Sequence, residues 1–394
     1  MPKFIHLGCW NNLNKNKKNV DLGNLKQVMK TMKTYIKQNE PEFVVLAGDN
    51  YYPGKTKTEG ATKKKEKIIY TKKLVEGFSE LPKNIEINMI LGNHDLETNG
   101  TEKSLFIEDT DHPENEDCYI VNTEKKLVLN TNENVKNKNL SFRLFKDKML
   151  DDGTLLLLLD TSMYTTAASK YLKCHKHFLQ RRLPSENYIR DYQDRFIRTK
   201  IQKYKGQIKH LILIGHHPII GIKIKKDKSV GTNKKDKSAS ITESPTKKTK
   251  SDKKKTPNTP ILNDIPYFSD TLDMIYALLS NEVTYTYLCA DLHLYQKGTV
   301  TMNKTKMKIN QYIVGTGGTE LDDEIPQSYL DTRNFKRPDG VIDYELEESI
   351  CGFGFLECVT NKETPPAFRF IPAPSEVLSQ GGSKTRRKKP TLLK

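Results

Sequence analysis

The chain opens with short apolar runs separated by polar segments. Runs at 4–7, 43–46 and 87–91 are rich in large aliphatic, aromatic and β-branched side chains, and each is followed within two residues by a glycine. Between the first two runs, apolar side chains recur at helical spacing over residues 22–38. This alternation predicts a strand–helix–strand progression, which favours an α/β fold built on a parallel sheet.

The same alternation continues along the rest of the chain, with longer polar stretches between the elements. Strands are predicted at 141–145 and 154–159, joined by the turn Asp151-Asp152-Gly153, and a polar helix is predicted at 190–205. A strand at 211–214 follows. Further strands are predicted at 283–289, 307–314 and 353–359, with helices at 68–78 and 268–280.

Charge divides the chain into a body and two basic segments. The formal net charge is +16, of which +9 falls in residues 221–257 and +6 in residues 384–394, so the remainder is close to neutral. Residues 223–259 are rich in Lys, Ser and Thr without periodicity, which predicts a disordered insertion. The sequence therefore predicts one large domain over 1–372, interrupted by this insertion, and a basic disordered tail over 373–394.

The basic insertion and tail have two interpretations. Clustered lysines attract nucleic acid and other acidic surfaces, which predicts a weak nucleic-acid contact. Alternatively, the lysines follow from a general bias, because Lys, Asn and Ile are common along the whole chain. Residues 381–389 resemble C-termini common in proteins of giant DNA viruses, and that resemblance implies a viral protein placed in the host cytoplasm or the virion.

Cysteine placement and hydropathy indicate the compartment. The six cysteines, at positions 9, 118, 174, 289, 351 and 358, form no CxxC pair, so neither a zinc knuckle nor a thioredoxin motif is indicated. Free thiols suit a reducing compartment. The chain begins in a predicted strand without a signal peptide and contains no run of about 18 apolar residues. We therefore expect a soluble, intracellular protein that is not secreted and does not enter a membrane.

Three short polar strings follow predicted strands directly. They are Gly48-Asp49-Asn50, Gly92-Asn93-His94-Asp95 and Gly215-His216-His217-Pro218. Open α/β sheets build their sites at the carboxyl ends of their strands, so these side chains are expected to meet. Asp, Asn and His ligands hold cations that polarise phosphoryl oxygens. The three strings together predict a metal site for phosphate ester chemistry.

The first two strings suggest a role for each residue. Asp49 has two carboxylate oxygens and is predicted to bridge two cations, with helix capping as the alternative. Asn93 offers a neutral amide oxygen as a ligand. His94 is predicted to face the phosphate, where it stabilises charge or protonates the leaving oxygen, and Asp95 to orient His94. The alternative for residues 93–95 is a plain turn.

The third string carries two adjacent histidines, which point to opposite sides of an extended backbone. His216 is assigned to the metal, and His217 to a supporting position or to the substrate. Of the remaining histidines, His6 is predicted to be a strand residue and His210 a surface group.

Together these strings resemble the calcineurin-like metallophosphoesterase superfamily, and within it the purple acid phosphatase branch. Residues 48–52 resemble the GDNFY string of that branch and residues 215–218 its GHHP string. Residues 314–318 resemble a late glycine turn, and Gly352-Phe353 its closing strand. The resemblance implies a sandwich of two mixed β-sheets flanked by helices in four layers. It also implies a dinuclear site, at which a metal-held hydroxide attacks phosphorus in line.

The resemblance also implies a ligand set. One metal would take Asp49, Asn93, His216 and the first His of a late GHxH string. The other would take Asp49, an Asp after the first strand, Tyr52 and the last His of GHxH, which is His293 here. The ions would be Fe, Zn or Mn.

Two positions depart from this pattern. Cys9 stands where the family has the first Asp, and Asp291 replaces the first His of GHxH. Both residues offer donor atoms, since thiolate binds zinc or iron and carboxylate suits harder ions, so both are candidate ligands. The alternatives are a buried apolar Cys9 and an Asp291 that caps a turn.

The predicted function is metal-dependent hydrolysis of phosphate monoesters on a phosphorylated small molecule, nucleotide or protein. Two rivals stay open. The chain could be a phosphatase fold kept as a scaffold after Cys9 and Asp291 impaired its metal site. It could also be a phosphodiesterase or nuclease of the same superfamily, which the basic insertion would suit.

Overall fold

The structure is a computed structural model that describes residues 1–11, 23–52, 76–96, 140–142, 144–169, 172, 185–224 and 260–374. Several predictions from sequence fall outside these residues. They are most of the helix at 68–78, nearly all of the insertion, the tail beyond residue 374 and its nucleic-acid contact.

The described residues form strands and helices in a mixed order. The strands are β1 (Lys3–Leu7), β2 (Phe43–Ala47), β3 (Glu86–Ile90), β4 (Leu140–Phe142), β5 (Lys146–Met149), β6 (Thr154–Leu158), β7 (His210–Ile214), β8 (Ile220–Ile224), β9 (Pro260–Asp264), β10 (Thr284–Cys289), β11 (Tyr295–Met302), β12 (Lys308–Val314), β13 (Asn334–Lys336), β14 (Ile342–Ile350), β15 (Gly354–Val359) and β16 (Ala367–Pro372). The α-helices are α1 (Gly23–Asn39), α2 (Asn93–Leu96), α3 (Glu186–Tyr204), α4 (Ser269–Leu279) and α5 (Gln327–Thr332), with short 3-10 turns at Ser162–Tyr164, Pro266–Phe268 and Ser280–Glu282.

Two mixed sheets and a ribbon organise these strands. The first sheet has the order β16-β15-β1-β2-β3-β4, and the second has the order β13-β14-β11-β12-β10-β7-β6-β5. Strands β1 to β4 run parallel to one another, as do β6, β7, β10 and β12, while the strands towards the other edges are antiparallel. Strands β8 and β9 pair separately as an antiparallel ribbon. The predicted α/β architecture with two mixed sheets is confirmed.

Alternating side chains of the second sheet explain the layers. Leu156 and Leu158 of β6 pack into the core with the first sheet. Leu155 and Leu157 of the same strand pack into a second core with α3 and α4. Helix α1 packs with the first sheet, where it contacts β15. The order is therefore helix, sheet, sheet, helix, which gives the four predicted layers.

The strand pair predicted at 141–145 and 154–159 is wrong in its first member. Strand β5 pairs with β6 across the predicted turn, whereas β4 belongs to the first sheet and runs parallel to β3. Strand β5 was not predicted because it lacks an apolar run: its lysine side chains form ion pairs instead of packing in a core. Lys146 and Lys148 both bind the carboxylate of Glu86, with N–O distances of 3.0 and 2.9 Å.

Two smaller predictions are also corrected. Lys223 and Ile224 belong to β8, whose last residue pairs with Pro260, so the predicted insertion starts two residues too early. His210 is buried rather than on the surface, because it begins β7, which is covered on both faces. Its ring nitrogens lie 2.6 Å from Thr284 Oγ1 and 3.1 Å from the carbonyl oxygen of Asn361.

Among the described helices, none combines the length and apolar character needed to cross a bilayer.

Candidate metal centre

Five side chains with metal-binding atoms follow five parallel strands and meet between the two sheets. Four of them stand two residues after the end of a strand: Cys9 after β1, Asp49 after β2, His216 after β7 and Asp291 after β10. Asn93 stands three residues after β3. Within each sheet the strands are paired in register, so their carboxyl ends lie level, and the hydrogen bond from Nδ1 of His216 to the carbonyl of Ala47 joins the two sheets at that end.

Glycines before these residues allow the close approach. A Cβ atom on Gly48 would lie 2.6 Å from Nδ1 of His216, and one on Gly92 would overlap the backbone nitrogen and Oδ1 of Asp49. Gly48 also has a φ of 82°, in the left-handed region that glycine adopts at no steric cost. A side chain on Gly48 would therefore displace His216, and one on Gly92 would displace Asp49.

Three of the candidate ligands have left-handed backbones. The φ angles of Cys9, Asp49 and Asp291 are 52°, 51° and 62°. Such a conformation costs a non-glycine residue about 1–2 kcal/mol. Hydrogen bonds hold Cys9 in place: its N–H donates to the carbonyl of Gly48, and its carbonyl accepts from the N–H of Thr319, both at 3.1 Å. The site thus keeps strained turns that aim side chains inward.

One carboxylate oxygen of Asp49 faces a group that we call the Cys9 pocket, formed by Cys9, Asp49, Tyr52 and His293. The Tyr52 hydroxyl donates to Asp49 Oδ2 at 2.6 Å and lies 3.1 Å from Nε2 of His293. The Cys9 sulfur lies 3.8 Å from the same Asp49 oxygen. Sulfur, phenol, imidazole and carboxylate atoms therefore converge on one point.

The other carboxylate oxygen of Asp49 faces the His216 pocket, formed by Asp49, Asn93, His216 and Asp291. Nε2 of His216 lies 3.2 Å from Asp49 Oδ1, 3.0 Å from Asn93 Oδ1 and 3.7 Å from Asp291 Oδ1. The backbone N–H of His94 also donates to Asp49 Oδ1, at 3.0 Å. Asp49 is therefore shared by two donor sets, one on each of its oxygens.

Both pocket histidines are oriented as metal ligands usually are. Nδ1 of His216 donates to the carbonyl of Ala47 at 2.7 Å, and Nδ1 of His293 donates to the carbonyl of Glu320 at 2.9 Å. Each ring then presents Nε2 to its pocket, which is how a backbone partner fixes the tautomer of a ligating histidine. In the His216 pocket that nitrogen faces three oxygen atoms that cannot donate, an arrangement that a cation would stabilise.

The distances between donor atoms suit a cation. Zinc bonds of about 2.3 Å to sulfur and 2.0–2.1 Å to nitrogen or oxygen, at tetrahedral angles, separate the donors by about 3.3–3.5 Å. The separations of 3.0–3.8 Å in the two pockets lie around these values, and the Asp49–Tyr52 contact of 2.6 Å is the exception. That contact is a hydrogen bond, which would open when the phenol lost its proton. The residues of both pockets therefore fit metal ions.

The electrostatics also favour positive charge at this point. Burial lowers the pKa of His216, but the carboxylates of Asp49 and Asp291 outweigh it and raise that pKa to about 9. Burial likewise opposes the charged form of Asp49, yet His216 and His94 hold the pKa of Asp49 below its usual range. Burial and the Asp49 charge raise the pKa of Cys9 and of Tyr52. A cation entering the Cys9 pocket would have to displace these protons.

The second histidine of the GHHP string, His217, is held in place by Thr161, a residue that was not predicted from the sequence. Thr161 Oγ1 accepts the backbone N–H groups of His216 and His217, at 3.0 and 2.9 Å, and lies 3.1 Å from Nδ1 of His217. Since this hydroxyl already accepts twice, its own proton goes to Nδ1, which leaves the ring proton on Nε2. Burial lowers the pKa of His217 to about 4, so the ring is neutral.

His94 and Asp95 lie on the other side of the site. The His94 ring packs against the Tyr52 ring, with centroids 4.4 Å apart. The Asp95 carboxylate accepts the backbone N–H groups of Gly92 and Asn50 at 2.8 and 2.9 Å, and the Asn50 side chain at 3.0 Å. Asp95 thus ties the first two strings together, a role that the sequence did not predict, and its orientation of His94 stays a prediction.

Two other supporting residues come from distant parts of the chain. Asn263 of β9 donates from Nδ2 to Asp291 Oδ2 at 2.5 Å. Asp322 accepts the N–H of His293 at 2.9 Å and binds Lys223 of β8, also at 2.9 Å. The β8–β9 ribbon therefore reaches both pockets. Thr161 has a sequence signal, since it follows β6 in another polar string, whereas Asn263 and Asp322 have none.

Sequence and structure comparisons relate the chain to known proteins. The sequence model of the calcineurin-like phosphoesterase family matches residues 2–237, more than half of the chain. No curated protein sequence matches it. Among solved structures, GAP50, described as the anchor in the inner membrane complex of Plasmodium, is similar at 13% identity with a TM-score of 0.44, over 94% of this chain and 84% of that one.

A purple acid phosphatase from yellow lupin seeds is similar at 11% identity with a TM-score of 0.47, over 94% of this chain. The chain spans about half the length of that phosphatase, 51%. The match to the family model, over strands that carry Cys9, Asp49, Asn93 and His216, identifies the chain. It belongs to the calcineurin-like phosphoesterase family, a family of metallophosphoesterases.

Proposed function

We propose that this protein hydrolyses phosphate monoesters at a dinuclear metal site of the purple acid phosphatase type. One observation carries the proposal. The two oxygens of Asp49 face two separate donor sets, with Tyr52 2.6 Å from Oδ2 and His216 3.2 Å from Oδ1. A carboxylate in that position suits a bridge between two cations. Cys9, Asn93, Asp291 and His293 would complete the ligands.

Metal ions held there would supply Lewis-acid polarisation of phosphoryl oxygens and an activated water. The chain's own residues would bind and orient the ester. His217 holds a proton on Nε2, which suits donation to a phosphoryl or leaving oxygen. His94, half-buried beside Tyr52, would stabilise charge on the ester.

The substrate is proposed as a phosphorylated small molecule, nucleotide or protein. Contact with nucleic acid through the basic segments, and a viral origin, stay predictions from sequence. Asp291 departs from the family pattern that the sequence resembles, since it adds a negative charge in place of a neutral imidazole. That charge would weaken attraction for a phosphate dianion, so we expect slower turnover than a histidine at this position would give.

The test is hydrolysis of p-nitrophenyl phosphate by metal-stripped, full-length protein given Zn²⁺, Mn²⁺, Fe²⁺, Mg²⁺ or Ni²⁺ in turn, from mildly acidic to mildly alkaline pH. Bis-p-nitrophenyl phosphate serves as the matched diester, and Asp49→Asn as the inactive control. Metal-dependent turnover of the monoester that Asp49→Asn abolishes would support the proposal.

Faster turnover of the diester would instead favour the phosphodiesterase rival. A folded protein that binds metal but turns over neither ester with any ion would contradict the proposed function and favour a scaffold.

A further inference from the structure

The two pockets that share Asp49 differ in the chemistry of their other donors. The Cys9 pocket adds a sulfur, a phenol and an imidazole, whereas the His216 pocket adds an amide oxygen, a carboxylate and an imidazole. We propose that the Cys9 pocket binds a thiophilic cation of the Zn²⁺ class through the Cys9 thiolate, and that the His216 pocket takes a harder cation of the Mn²⁺ class. This inference rests on the proposed dinuclear site.

The surroundings of Cys9 distinguish it from the other buried cysteines. Cys9, Cys289 and Cys358 all have no solvent exposure. Cys9 and Cys289 each line a hydrophobic core, so the difference lies in what their sulfurs face: that of Cys289 is 3.6 Å from the carbonyl of Tyr312. The Cys9 sulfur instead faces the Asp49 carboxylate and lies, with Asp49 and His293, in a group of donor atoms within 4.8 Å of one another. Burial as an apolar residue explains Cys289 but leaves the neighbours of Cys9 unexplained.

The backbone fixes where this sulfur points. Both backbone hydrogen bonds of Cys9 are made within the site, to Gly48 and Thr319, and its φ of 52° turns the side chain towards Asp49. Soft thiolate ligands select zinc-like ions over manganese and magnesium. A sulfur held in this way therefore gives the Cys9 pocket a selectivity that an aspartate at the same position would not give.

The His216 pocket has the opposite character. Three of its donor atoms are oxygens, from Asp49, Asn93 and Asp291, and carboxylate and carbonyl oxygens suit harder ions. Asn263 engages Asp291 Oδ2 at 2.5 Å, which leaves Oδ1 directed at His216. Asn263 thus positions Oδ1 of Asp291, one of the oxygens that give the His216 pocket its preference for harder cations.

Cobalt titration of metal-stripped, full-length protein tests the inference without requiring turnover. Co²⁺ bound in the Cys9 pocket should give a near-ultraviolet thiolate-to-cobalt charge-transfer band. Cys9→Asp should remove the band while calorimetry still shows cation binding, and the exposed Cys351→Ser should keep it. With Zn²⁺ and Mn²⁺ both supplied, the unaltered protein should hold one of each, and Cys9→Asp should lower its preference for Zn²⁺ by at least about tenfold.

Cadmium NMR of the unaltered protein provides the same answer if Cys9→Asp fails to fold, because a sulfur ligand shifts the cadmium resonance strongly downfield. Cobalt or cadmium bound without a sulfur signature, or a charge-transfer band that persists in Cys9→Asp, would overturn the inference. A sulfur signature without hydrolysis would keep it and contradict the proposed function. A folded protein that binds no cation would overturn both.

Discussion

The two pockets around Asp49 are built in different ways. Every residue of the His216 pocket stands two or three residues after a strand, so the sheets place all of its donors. The Cys9 pocket takes only Cys9 and Asp49 directly from strand ends, and Tyr52 and His293 come from the loops that follow. The sheets alone therefore define one pocket, and loop geometry completes the other. Two donors of the Cys9 pocket, Tyr52 and His293, can therefore shift with their loops without disturbing the strands.

Asp49→Asn should have the largest effect, because Asp49 belongs to both pockets. The amide keeps the shape but loses the charge and one acceptor oxygen, so cation affinity should fall in both pockets. We expect hydrolysis to fall by at least about a thousandfold. Metal analysis of the purified variant, beside the p-nitrophenyl phosphate assay, measures both effects.

His216→Ala is the matched comparison, since it removes a donor from one pocket alone. It should lose one cation and keep the thiolate-to-cobalt band. If both variants lost both cations, the pockets would not be separable and the contrast between them would fail.

The part of the site that sequence could indicate is the part made at strand ends. Asp49, Asn93 and His216 follow glycines after apolar runs, and that local pattern is visible in one dimension. Cys9 and Asp291 came only from the family resemblance, because a lone Cys or Asp after a strand has no specific pattern.

Thr161, Asn263 and Asp322 act through contacts that depend on the folded chain. Thr161 reaches His217 from a neighbouring strand end, and Asn263 lies on a ribbon whose pairing joins residues far apart in sequence. The polar string after β6 draws attention to Thr161 but does not reveal its contact with His217, and no local pattern indicates Asn263 or Asp322, so none of the three was predicted.

The strands also divide into those that the sequence pattern reveals and those that it does not. The parallel strands β2 and β7 are buried along their whole length, which produces continuous apolar runs that sequence detects. Strand β14 alternates buried Ile342, Tyr344 and Leu346 with exposed acidic residues, and β5 is covered by lysine–glutamate pairs. Both lie towards an edge of the second sheet, where half-buried strands need fewer apolar residues.

The next largest effect is expected at His6, which links the two sheets beside the pockets. His6 of β1, three residues before Cys9, donates from Nε2 to the carbonyl of Cys289 at 3.0 Å, and Cys289 stands two residues before Asp291. Its Nδ1 is buried and has no partner among the described residues. Burial lowers the pKa of His6 to about 4. The folded protein therefore resists protonation of His6 at pH values where the unfolded chain accepts a proton.

Because the unfolded chain binds more protons between about pH 6.5 and 4, the free energy of unfolding should fall as the pH is lowered through that range. The contribution of His6 should be about 3 kcal/mol. Urea unfolding of metal-free protein at several pH values measures it, with His6→Gln as the control that keeps a donor to Cys289. An equal pH dependence in both proteins would show that His6 does not penalise protonation of the folded state.

Asn263→Ala should have a smaller effect, confined to cation binding in the His216 pocket. Without the 2.5 Å hydrogen bond, Asp291 loses the partner that directs Oδ1 to His216. Loss of such a supporting contact typically lowers cation affinity about tenfold or more. Calorimetric titration with Mn²⁺ should show weaker binding in the His216 pocket, while the cobalt band of the Cys9 pocket is unchanged. Asn310→Ala, at an exposed position of β12, is the control and should alter neither pocket.

Lys223→Ala should have the smallest effect, although Lys223 lies on the same ribbon as Asn263. Its Nζ is 2.9 Å from Asp322, but its side chain is 43% exposed and it reaches His293 only through that carboxylate. Exposed ion pairs contribute less than about 1 kcal/mol, so Co²⁺ affinity in the Cys9 pocket should change by no more than a few-fold. A loss as large as that from Asn263→Ala in the other pocket would mean that the ribbon supports both pockets equally. The exposed pair would then owe its strength to the two hydrogen bonds that join Asp322 to His293, and the Cys9 pocket would be no more adaptable than its neighbour.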